Sequence, residues 1–351
     1  MAETGRAVIA NGHDFSVMEF AVPAPAPGKI LLRQELGGIC GTDLHNWQNH
    51  LPEPTFMGHE AVGVIAALGA GVDTDFLGNP IAEGDRIVFH PRNGGVAYGF
   101  RTLAAEDPPF SGGFADYIYL ADDTNCFVKF DGPAKVGVLA EPFAVGVHAV
   151  MRGNVQLGDT VIVQGSGAIG LLTLVAAKLS GAARTIVVGG PADRLALASR
   201  LGADVVVDIE DVPDVEERKA RVLAATPRGA GADVVFECAG FLPAIPEGLA
   251  YVKQDGTFVE VGHFVDIGTV RINPNTELLR KNLRLEAIWG SRYNHFVRGI
   301  ALLARNEFPF ADLVSHVLPL ERIADGFHAL NGSYRLGEET VIKIAVAAAS
   351  E

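Results

Sequence analysis

Hydrophobic and polar residues follow two different patterns along the chain. Up to about residue 120, short apolar runs are separated by glycine, proline and asparagine, which is typical of strands joined by turns. Three such runs are Lys29–Leu36, Ala61–Leu68 and Arg86–His90. This part of the chain is therefore predicted to be rich in β-structure.

From about Asp159 the pattern changes to alternating strands and helices. The predicted strands are Thr160–Gln164, Arg184–Val188, Val205–Val207, Asp233–Phe236, Gly256–Val261 and Arg284–Trp289. The predicted helices are Ala168–Leu179, Ala192–Leu201 and Phe296–Arg305. This alternation favours a parallel, doubly wound sheet and places the chain in the α/β class. A last β segment, Thr340–Val346, is predicted to return to the first domain. The domains are expected at 1–144 with 289–351, and at 145–288.

Composition narrows the class of protein. The chain has 351 residues and a formal net charge of −14, which disfavours nucleic acid as a partner. The cysteines Cys40, Cys126 and Cys238 are too few for a disulfide framework, so a reducing compartment is expected. No signal peptide is apparent at the N-terminus. We expect a cytoplasmic protein.

One apolar stretch, Val161–Leu179, has about the length of a membrane span. Glycines and Lys178 interrupt it, so it is predicted to form a strand, a turn and a helix instead. No membrane association is expected.

A glycine-rich turn links that strand to that helix. Its residues are Gly165, Ser166, Gly167, Ala168, Ile169 and Gly170. The first glycine permits a tight turn, the second lets the backbone approach a pyrophosphate, and the third allows close helix–strand packing. The helix N-terminus adds N–H groups and a favourable dipole for phosphates. Because a strand and a helix flank the motif correctly, the segment predicts a dinucleotide site.

The residues after the second strand bear on the choice of dinucleotide. An NAD site usually has an acidic residue there, which binds the ribose 2′-hydroxyl. This chain has Gly189 and Gly190 instead, and the next carboxylate is Asp193. Arg194 and the N–H group of Gly190 could then bind a 2′-phosphate, although Arg194 could equally pack along the adenine or lie in solvent. We expect NAD(P), with a slight preference for NADP and possible use of both.

Three separate segments carry candidate metal ligands. Cys40 lies in the segment CGTDLH, and His59 is followed directly by Glu60. Glu141 lies within an otherwise apolar segment, where a buried carboxylate needs a partner. A thiolate, an imidazole and carboxylates are suitable ligands for zinc. The segments therefore predict one catalytic metal site.

These segments resemble the medium-chain zinc-dependent alcohol dehydrogenases over essentially the whole chain. The run GHEAVGVIAALGAGV (Gly58–Val72) fits the family's zinc signature. The run EPFAVGVHA (Glu141–Ala149) resembles the sorbitol and threonine dehydrogenase branch, which carries Glu where liver-type enzymes carry a second Cys ligand. The resemblance implies a GroES-like catalytic domain, a Rossmann domain and hydride transfer between NAD(P) and a secondary alcohol or polyol, or the matching ketone or aldehyde.

The resemblance also implies ligand roles. Cys40 and His59 match zinc ligands. Glu60 and Glu141 match carboxylates that bind zinc directly or through water, and the sequence leaves open which of them is the direct ligand.

Three residues of the CGTDLH segment match the proton path and its support. Thr42 matches the hydroxyl that takes the substrate proton, and His45 matches the outer histidine of the relay. Asp43 matches a residue that orients a zinc-bound histidine.

The family often holds a second, structural zinc on four cysteines. The corresponding stretch here, Phe89–Gly113, contains no cysteine. A closed four-ligand site is needed for structural zinc. We therefore expect one zinc per chain.

Two other readings of the chain remain open. One is a zinc-free relative that reduces activated double bonds with NADPH, and the other is a non-catalytic nucleotide-binding protein on the same fold. The resemblance also implies a homodimer or homotetramer.

Candidate substrate contacts are few. Arg292 could contact a hydroxyl-rich substrate, and Trp47, Phe110 and Trp289 are candidate pocket walls, although each of the three could simply be a packed aromatic.

Overall fold

The structure is a computed structural model that describes residues 3–93, 96–104, 109–120 and 126–348. The chain divides into two compact units. The first comprises Met1–Glu141 and Arg292–Glu351, and the second comprises Pro142–Ser291. The N-terminal and C-terminal segments thus share one unit, and the middle of the chain forms the other.

The N-terminal segment is mostly strands, as its short apolar runs predict. The strands are β1 (Thr4–Gly12), β2 (Asp14–Ala21), β3 (Ile30–Gly38), β4 (Leu51–Met57), β5 (Glu60–Leu68), β6 (Arg86–Phe89), β7 (Arg92–Asn93), β8 (Val96–Ala97), β9 (Phe100–Thr102), β10 (Tyr117–Leu120) and β11 (Phe127–Lys129). The helices are α1 (Gly41–Gln48), α2 (Ala134–Gly137) and α3 (Ala140–Gly153), of which α3 continues past the boundary of the unit.

The middle segment alternates strands and helices. The strands are β12 (Thr160–Gln164), β13 (Arg184–Gly189), β14 (Val205–Asp208), β15 (Ala232–Glu237), β16 (Val252–Glu260) and β17 (Arg284–Ala287). The helices are α4 (Ala168–Leu179), α5 (Ala192–Arg200), α6 (Val215–Ala224) and α7 (Ala244–Tyr251).

The C-terminal segment adds elements to the first unit. They are α8 (Tyr293–Leu303), β18 (Val314–Pro319), α9 (Ile323–Asn331), β19 (Arg335–Leu336), β20 (Glu339–Thr340) and β21 (Lys343–Ala347).

The sheet of the second unit confirms the predicted α/β architecture. Its strands are parallel and follow the order β14-β13-β12-β15-β16-β17. Every residue of β12 is buried, as is typical of a parallel strand that helices cover on both faces. The carboxyl ends of these strands meet at one edge, where α/β sheets bind their ligands.

Two sheets form most of the first unit. One has the order β2-β1-β4-β9, and the other has the order β11-β6-β5-β3-β21-β18 with β10 also paired to β3. Strand β21 lies antiparallel to β3, with Ala345 opposite Gly38. Strand β5 lies on the other side of β3, with Glu60 opposite the same Gly38. Residues of the N-terminal and C-terminal segments are therefore neighbours in this sheet.

The apolar stretch that resembled a membrane span is divided between β12 and α4, as predicted. Across the described ranges of the chain, no helix combines the length and the hydropathy that crossing a membrane would need.

Candidate metal centre and nucleotide site

A buried carboxylate, Asp43, connects the two segments that carry the candidate zinc ligands. Cys40 is the residue before α1, and its backbone N–H donates to Oδ2 of Asp43 at 2.8 Å. Oδ1 of Asp43 lies 3.5 Å from Nδ1 of His59 and accepts the Gly58 N–H at 3.4 Å. Asp43 therefore fixes the start of α1 and faces one nitrogen of the His59 ring, which leaves Nε2 to bind a metal.

The structure brings Cys40, His59 and Glu60 together. One ligand atom from each lies within 4.8 Å of those of the other two. His59 and Glu60 are 8% and 1% exposed, so their polar atoms are removed from water. A thiolate, an imidazole and a carboxylate in a buried group suit zinc, which prefers mixed sulfur, nitrogen and oxygen ligands in a tetrahedral arrangement.

The charges of this group favour a bound cation. Burial and then Glu60 raise the pKa of the Cys40 thiol. Burial opposes protonation of His59, but Asp43 and Cys40 outweigh it and raise the His59 pKa well above its ordinary value. The raised pKa values show that this buried group attracts positive charge. A bound metal ion would supply that charge, and its binding would release the protons.

Lys343 is part of this group and was not found from the sequence. Its ammonium group pairs with Oε2 of Glu60 and donates to the backbone oxygen of Ile39, the latter at 2.9 Å. The side chains of Lys343 and Glu60 are 6% and 1% exposed. Burial would lower the pKa of Lys343, but Glu60 and Cys40 raise it above its usual value. Lys343 thus supplies a positive charge behind the candidate ligand Glu60.

Glu141 lies close enough to interact with the group but outside the set of converging ligand atoms. Burial raises the pKa of its carboxyl group to about 7, while His59 and Lys343 oppose that shift and Glu60 adds to it. The geometry therefore favours Glu60 over Glu141 as the carboxylate nearest to the Cys40 and His59 donors.

The two residues assigned to the proton path lie on α1. Oγ1 of Thr42 is 3.8 Å from Sγ of Cys40, so the hydroxyl is next to a candidate ligand. His45 lies one turn further along the helix, and its ring contacts the side-chain amide of Asn49 with Nε2 at 2.9 Å from Nδ2. Thr42 and His45 therefore share one helix that begins beside Cys40.

The glycine turn has the geometry of a nucleotide site. A Cβ atom on Gly165 would lie 2.7 Å from the backbone nitrogen of Ala239, and one on Gly170 would lie 1.9 Å from the oxygen of Gly165. These two positions therefore exclude side chains. A Cβ on Gly167, at the start of α4, would meet nothing within 4 Å. The turn is therefore tightly packed at Gly165 and Gly170. It has free space at Gly167, where the backbone of Gly167, Ala168 and Ile169 would face a pyrophosphate.

The end of β13 differs from our expectation in one respect. The N–H group of Gly190 donates to Oγ of Ser166 at 3.1 Å, and the same hydroxyl donates to the Gly190 oxygen at 2.8 Å. The prediction of a free Gly190 N–H for a 2′-phosphate is therefore wrong, because Ser166 of the glycine turn already uses it. A Cβ atom on Gly189 would lie 2.6 Å from Ser166 Oγ, which explains the glycine there. Arg194 lies in the first turn of α5.

A second group of titratable residues, at the carboxyl edge of the parallel sheet, was missed in the sequence. Nδ1 of His263 lies 2.9 Å from Oε1 of Glu260 and 3.3 Å from Oε2 of Glu237. Burial and then Glu260 raise the pKa of Glu237 to about 8. Glu237 and Glu260 are the last residues of β15 and β16 and pair in register. The available sequence signal was a carboxylate near the end of each predicted strand. Glu237, Glu260 and His263 therefore form one close group of polar side chains.

The candidate pocket aromatics have different surroundings. Trp47 is 5% exposed and donates its indole N–H to the oxygen of His13 at 2.9 Å, and Phe110 is fully buried. These two are core residues. Trp289 is 83% exposed. Arg292 precedes α8, and its backbone N–H donates to Nδ1 of His295 at 3.2 Å.

Comparison with known proteins agrees with this geometry. Residues 26–131 match the alcohol dehydrogenase GroES-like domain, and residues 168–305 match the zinc-binding dehydrogenase model. The chain is 32% identical to 5-exo-hydroxycamphor dehydrogenase of Pseudomonas putida, over 88% of this chain and 90% of that protein. It is 31% identical to sorbitol dehydrogenase of Gallus gallus, over 93% and 94% of the two chains. The chain belongs to the medium-chain zinc-binding alcohol dehydrogenases.

Solved structures of this family share the fold. An alcohol dehydrogenase from Thermotoga maritima superposes with a TM-score of 0.90 at 25% identity, covering 99% of this chain and 100% of that one. A 2R,3R-butanediol dehydrogenase from Bacillus subtilis superposes with a TM-score of 0.79 at 27% identity, covering 98% and 99%. The protein is a zinc-dependent dehydrogenase of the alcohol and polyol class, with the predicted GroES-like and Rossmann folds.

The stretch in which the family often binds structural zinc is Phe89–Gly113. Residues 94–95 and 105–108 of it lie outside the described residues. The expectation of a single zinc therefore rests on the missing cysteines and stays a prediction.

Proposed function

We propose that the protein transfers hydride between NAD(P) and a secondary alcohol or polyol, or the matching ketone or aldehyde, with one catalytic zinc per chain. The observation that carries this proposal is the convergence of Cys40, His59 and Glu60 beside the buried Asp43. The open glycine turn at Gly167 supports the dinucleotide half of the reaction.

Each residue of the site has a role that its surroundings support. Bound zinc would supply a Lewis acid, and bound nicotinamide would accept or donate hydride. Cys40 and His59 bind the metal, and Asp43 orients the imidazole so that Nε2 is the ligand atom. Thr42 accepts the proton of the alcohol while its own hydroxyl proton moves on along the relay, and His45, the outer member, releases a proton to solvent.

The third protein ligand in this proposal is Glu60. Its ligand atoms belong to the converging set, whereas those of Glu141 do not. Lys343 pairs with Glu60 where both side chains are buried, and so balances its charge. Glu141, whose pKa is raised to about 7, then acts as a neighbouring carboxyl that contacts the group through water or the substrate.

The substrate class follows from the relatives and from Glu141. Sorbitol, 5-exo-hydroxycamphor and 2R,3R-butanediol give their names to the similar enzymes, and all of these carry hydroxyl groups on carbon frameworks of different polarity. The carboxylate at Glu141 matches the polyol branch. We therefore favour a small polyol or secondary alcohol as the substrate.

Both dinucleotides are compatible with the glycines at the end of β13. Glycine at position 189 removes the carboxylate that repels a 2′-phosphate, and Arg194 supports NADP, as the sequence suggested. The engaged Gly190 N–H removes the other support for NADP.

A metal assay tests the proposed function against a zinc-free reductase. We expect one zinc per chain by elemental analysis, and loss of both zinc and turnover in Cys40→Ala and His59→Ala, with ADP-ribose binding retained. Cys126→Ala is the matched control, because Cys126 is buried but does not belong to the converging ligand set, so its loss should not affect zinc content. Full activity without metal, or two zinc ions per chain, would contradict the proposal.

The family resemblance also supports a homodimer or homotetramer. Strand β17 ends the order of the parallel sheet within the described residues, and Leu285 on it is 53% exposed. An edge strand with unpaired backbone groups and an exposed leucine can pair with a second copy, although Arg284 and Glu286 on the same strand are charged. Light scattering of the wild-type protein and of Leu285→Lys tests this: a monomeric wild type would contradict it.

A further inference from the structure

The end of β13 has no carboxylate of its own, but the neighbouring strand β14 supplies one at nearly the same place. Gly189 and Asp208 are the last residues of these strands and pair in parallel register. A Cβ atom built on Gly190 would lie 3.3 Å from Oδ1 of Asp208. The Asp208 carboxylate therefore borders the space that a side chain at position 190 would enter.

That space has a known use in this fold. The acidic residue that normally ends the second strand accepts hydrogen bonds from the ribose hydroxyls of NAD and repels the 2′-phosphate of NADP. We propose that Asp208 replaces this missing carboxylate and makes the protein prefer NAD to NADP. The inference rests on the proposed function, because it concerns the cofactor of the same reaction.

The carboxylate is held in place by a local contact. Oδ1 of Asp208 accepts the backbone N–H of Glu210 at 2.9 Å. The residue is partly exposed, so a ligand can reach it. The group that holds its carboxylate is a backbone N–H and not another side chain. A fixed acceptor of this kind loses little conformational entropy when it binds a hydroxyl.

The surrounding charges act against a 2′-phosphate. Cγ of Glu210 would lie 3.8 Å from a Cβ atom on Gly190, so a second acidic side chain borders the same space. Arg194 carries one positive charge in the first turn of α5, and Asp193 beside it carries one negative charge. The Gly190 N–H, which could have donated to a phosphate, is used by Ser166. The absence of a carboxylate at Gly189 therefore does not make the site favourable for NADP.

A matched pair of ligands tests this without zinc or alcohol. Titration calorimetry would measure the Kd of ADP-ribose and of ADP-ribose 2′-phosphate for the wild type, Asp208→Asn and the control Asp211→Asn. Asparagine keeps an oxygen that can accept the Glu210 N–H, and Asp211 is an exposed neighbour with the same charge. Asp208→Ser is a second variant that removes the charge and retains an acceptor.

We expect the wild type to bind ADP-ribose more tightly than its 2′-phosphate. Removing the Asp208 charge should shift that ratio toward the phosphate by roughly tenfold, the order expected for one unit charge near a phosphate at a protein surface. The ratio of kcat/KM for NADP over NAD should rise in parallel, and Asp211→Asn should leave both ratios unchanged.

The outcomes separate the two proposals. A wild type that binds the 2′-phosphate more tightly overturns the inference, as do Asp208 variants that shift the ratio no more than Asp211→Asn. In either case, hydride transfer with either dinucleotide would leave the proposed function intact. A wild type that binds neither probe would contradict the nucleotide site itself, and the inference with it.

Discussion

Lys343, on strand β21, forms a buried ion pair with Glu60, which lies directly after the candidate zinc ligand His59. The pair exists because β21 and β5 lie on either side of β3, where Gly38 is opposite both Ala345 and Glu60. Gly38 has no side chain to separate them: a Cβ atom there would lie 2.4 Å from Glu60 Oε2. The C-terminal segment thereby contributes a charge to the candidate metal centre in the N-terminal segment.

Removing the Lys343 charge should destabilise the protein most when no metal is bound. In Lys343→Met the Glu60 carboxylate is left buried and unpaired, which typically costs about 3 kcal/mol or more of unfolding free energy. Zinc would restore part of that loss by pairing with the same carboxylate. Thermal unfolding of the wild type and of Lys343→Met, each with and without zinc, measures the effect.

An exposed ion pair gives the control for that experiment. Lys219 pairs with Glu216, whose side chain is 80% exposed. Lys219→Met should cost less than about 1 kcal/mol, with no dependence on zinc. Equal losses in the two variants would show that the Lys343–Glu60 pair does not stabilise the metal centre.

The two candidate carboxylate ligands should differ in their effect on zinc. Glu60→Gln removes a ligand from the converging set, and we expect a substoichiometric zinc content after dialysis. Glu141→Gln should lower zinc affinity by about tenfold, as is typical for groups that support ligands without binding the metal. Zinc titration with a chelating indicator measures both. A larger loss in Glu141→Gln would reverse the assignment.

His45→Ala should slow alcohol oxidation by about a hundredfold at neutral pH, the usual contribution of a positioned acid–base group. At alkaline pH hydroxide can accept the proton directly, so the deficit should shrink. Steady-state rates across this pH range measure it. His50→Ala, just beyond the end of the same helix, is the control and should have no pH-dependent effect. A loss that is constant with pH would assign His45 a structural or cofactor-binding role.

Sequence patterns were sufficient where an interaction is local. The strand β12, the glycine turn and α4 are consecutive, and their apolar run and glycines predicted each of them. Cys40 and His59 could be assigned to one site because the segments that carry them lie close together in the chain and contain residue types that bind zinc. Lys343 could not be found, because only the pairing of β21 with β3 brings it to Glu60.

The same limit applies to the parallel sheet. Asp208 reaches the end of β13 through strand pairing, and no spacing along the chain indicates which carboxylate will lie there. Helix α6 was also missed, although Asp214 accepts the Glu217 N–H at 2.8 Å in the usual manner of a helix cap. Its charged, partly exposed sequence lacks the continuous apolar run that indicated α4.

The carboxyl group of Glu237 should make stability depend on pH. Burial and then Glu260 raise its pKa to about 8 in the folded protein, above the ordinary carboxyl value that applies to the unfolded chain. The folded state therefore binds the proton more tightly. The resulting stabilisation is fully present below the unfolded pKa and is lost as the pH rises toward 8.

Glu237→Gln tests this linkage, because the amide has the shape of the protonated acid and cannot ionise. Its oxygen can still accept the N–H groups of Ala239 and Gly240, which Glu237 binds at 2.8 and 3.0 Å. Each unit of pKa difference corresponds to about 1.4 kcal/mol, so the wild type should lose stability relative to the variant as the pH rises from about 5 to about 8. Thermal midpoints across this range measure the effect. Glu216→Gln, at an exposed position, should follow the wild type. If Glu237→Gln follows it as well, Glu237 does not hold its proton at neutral pH.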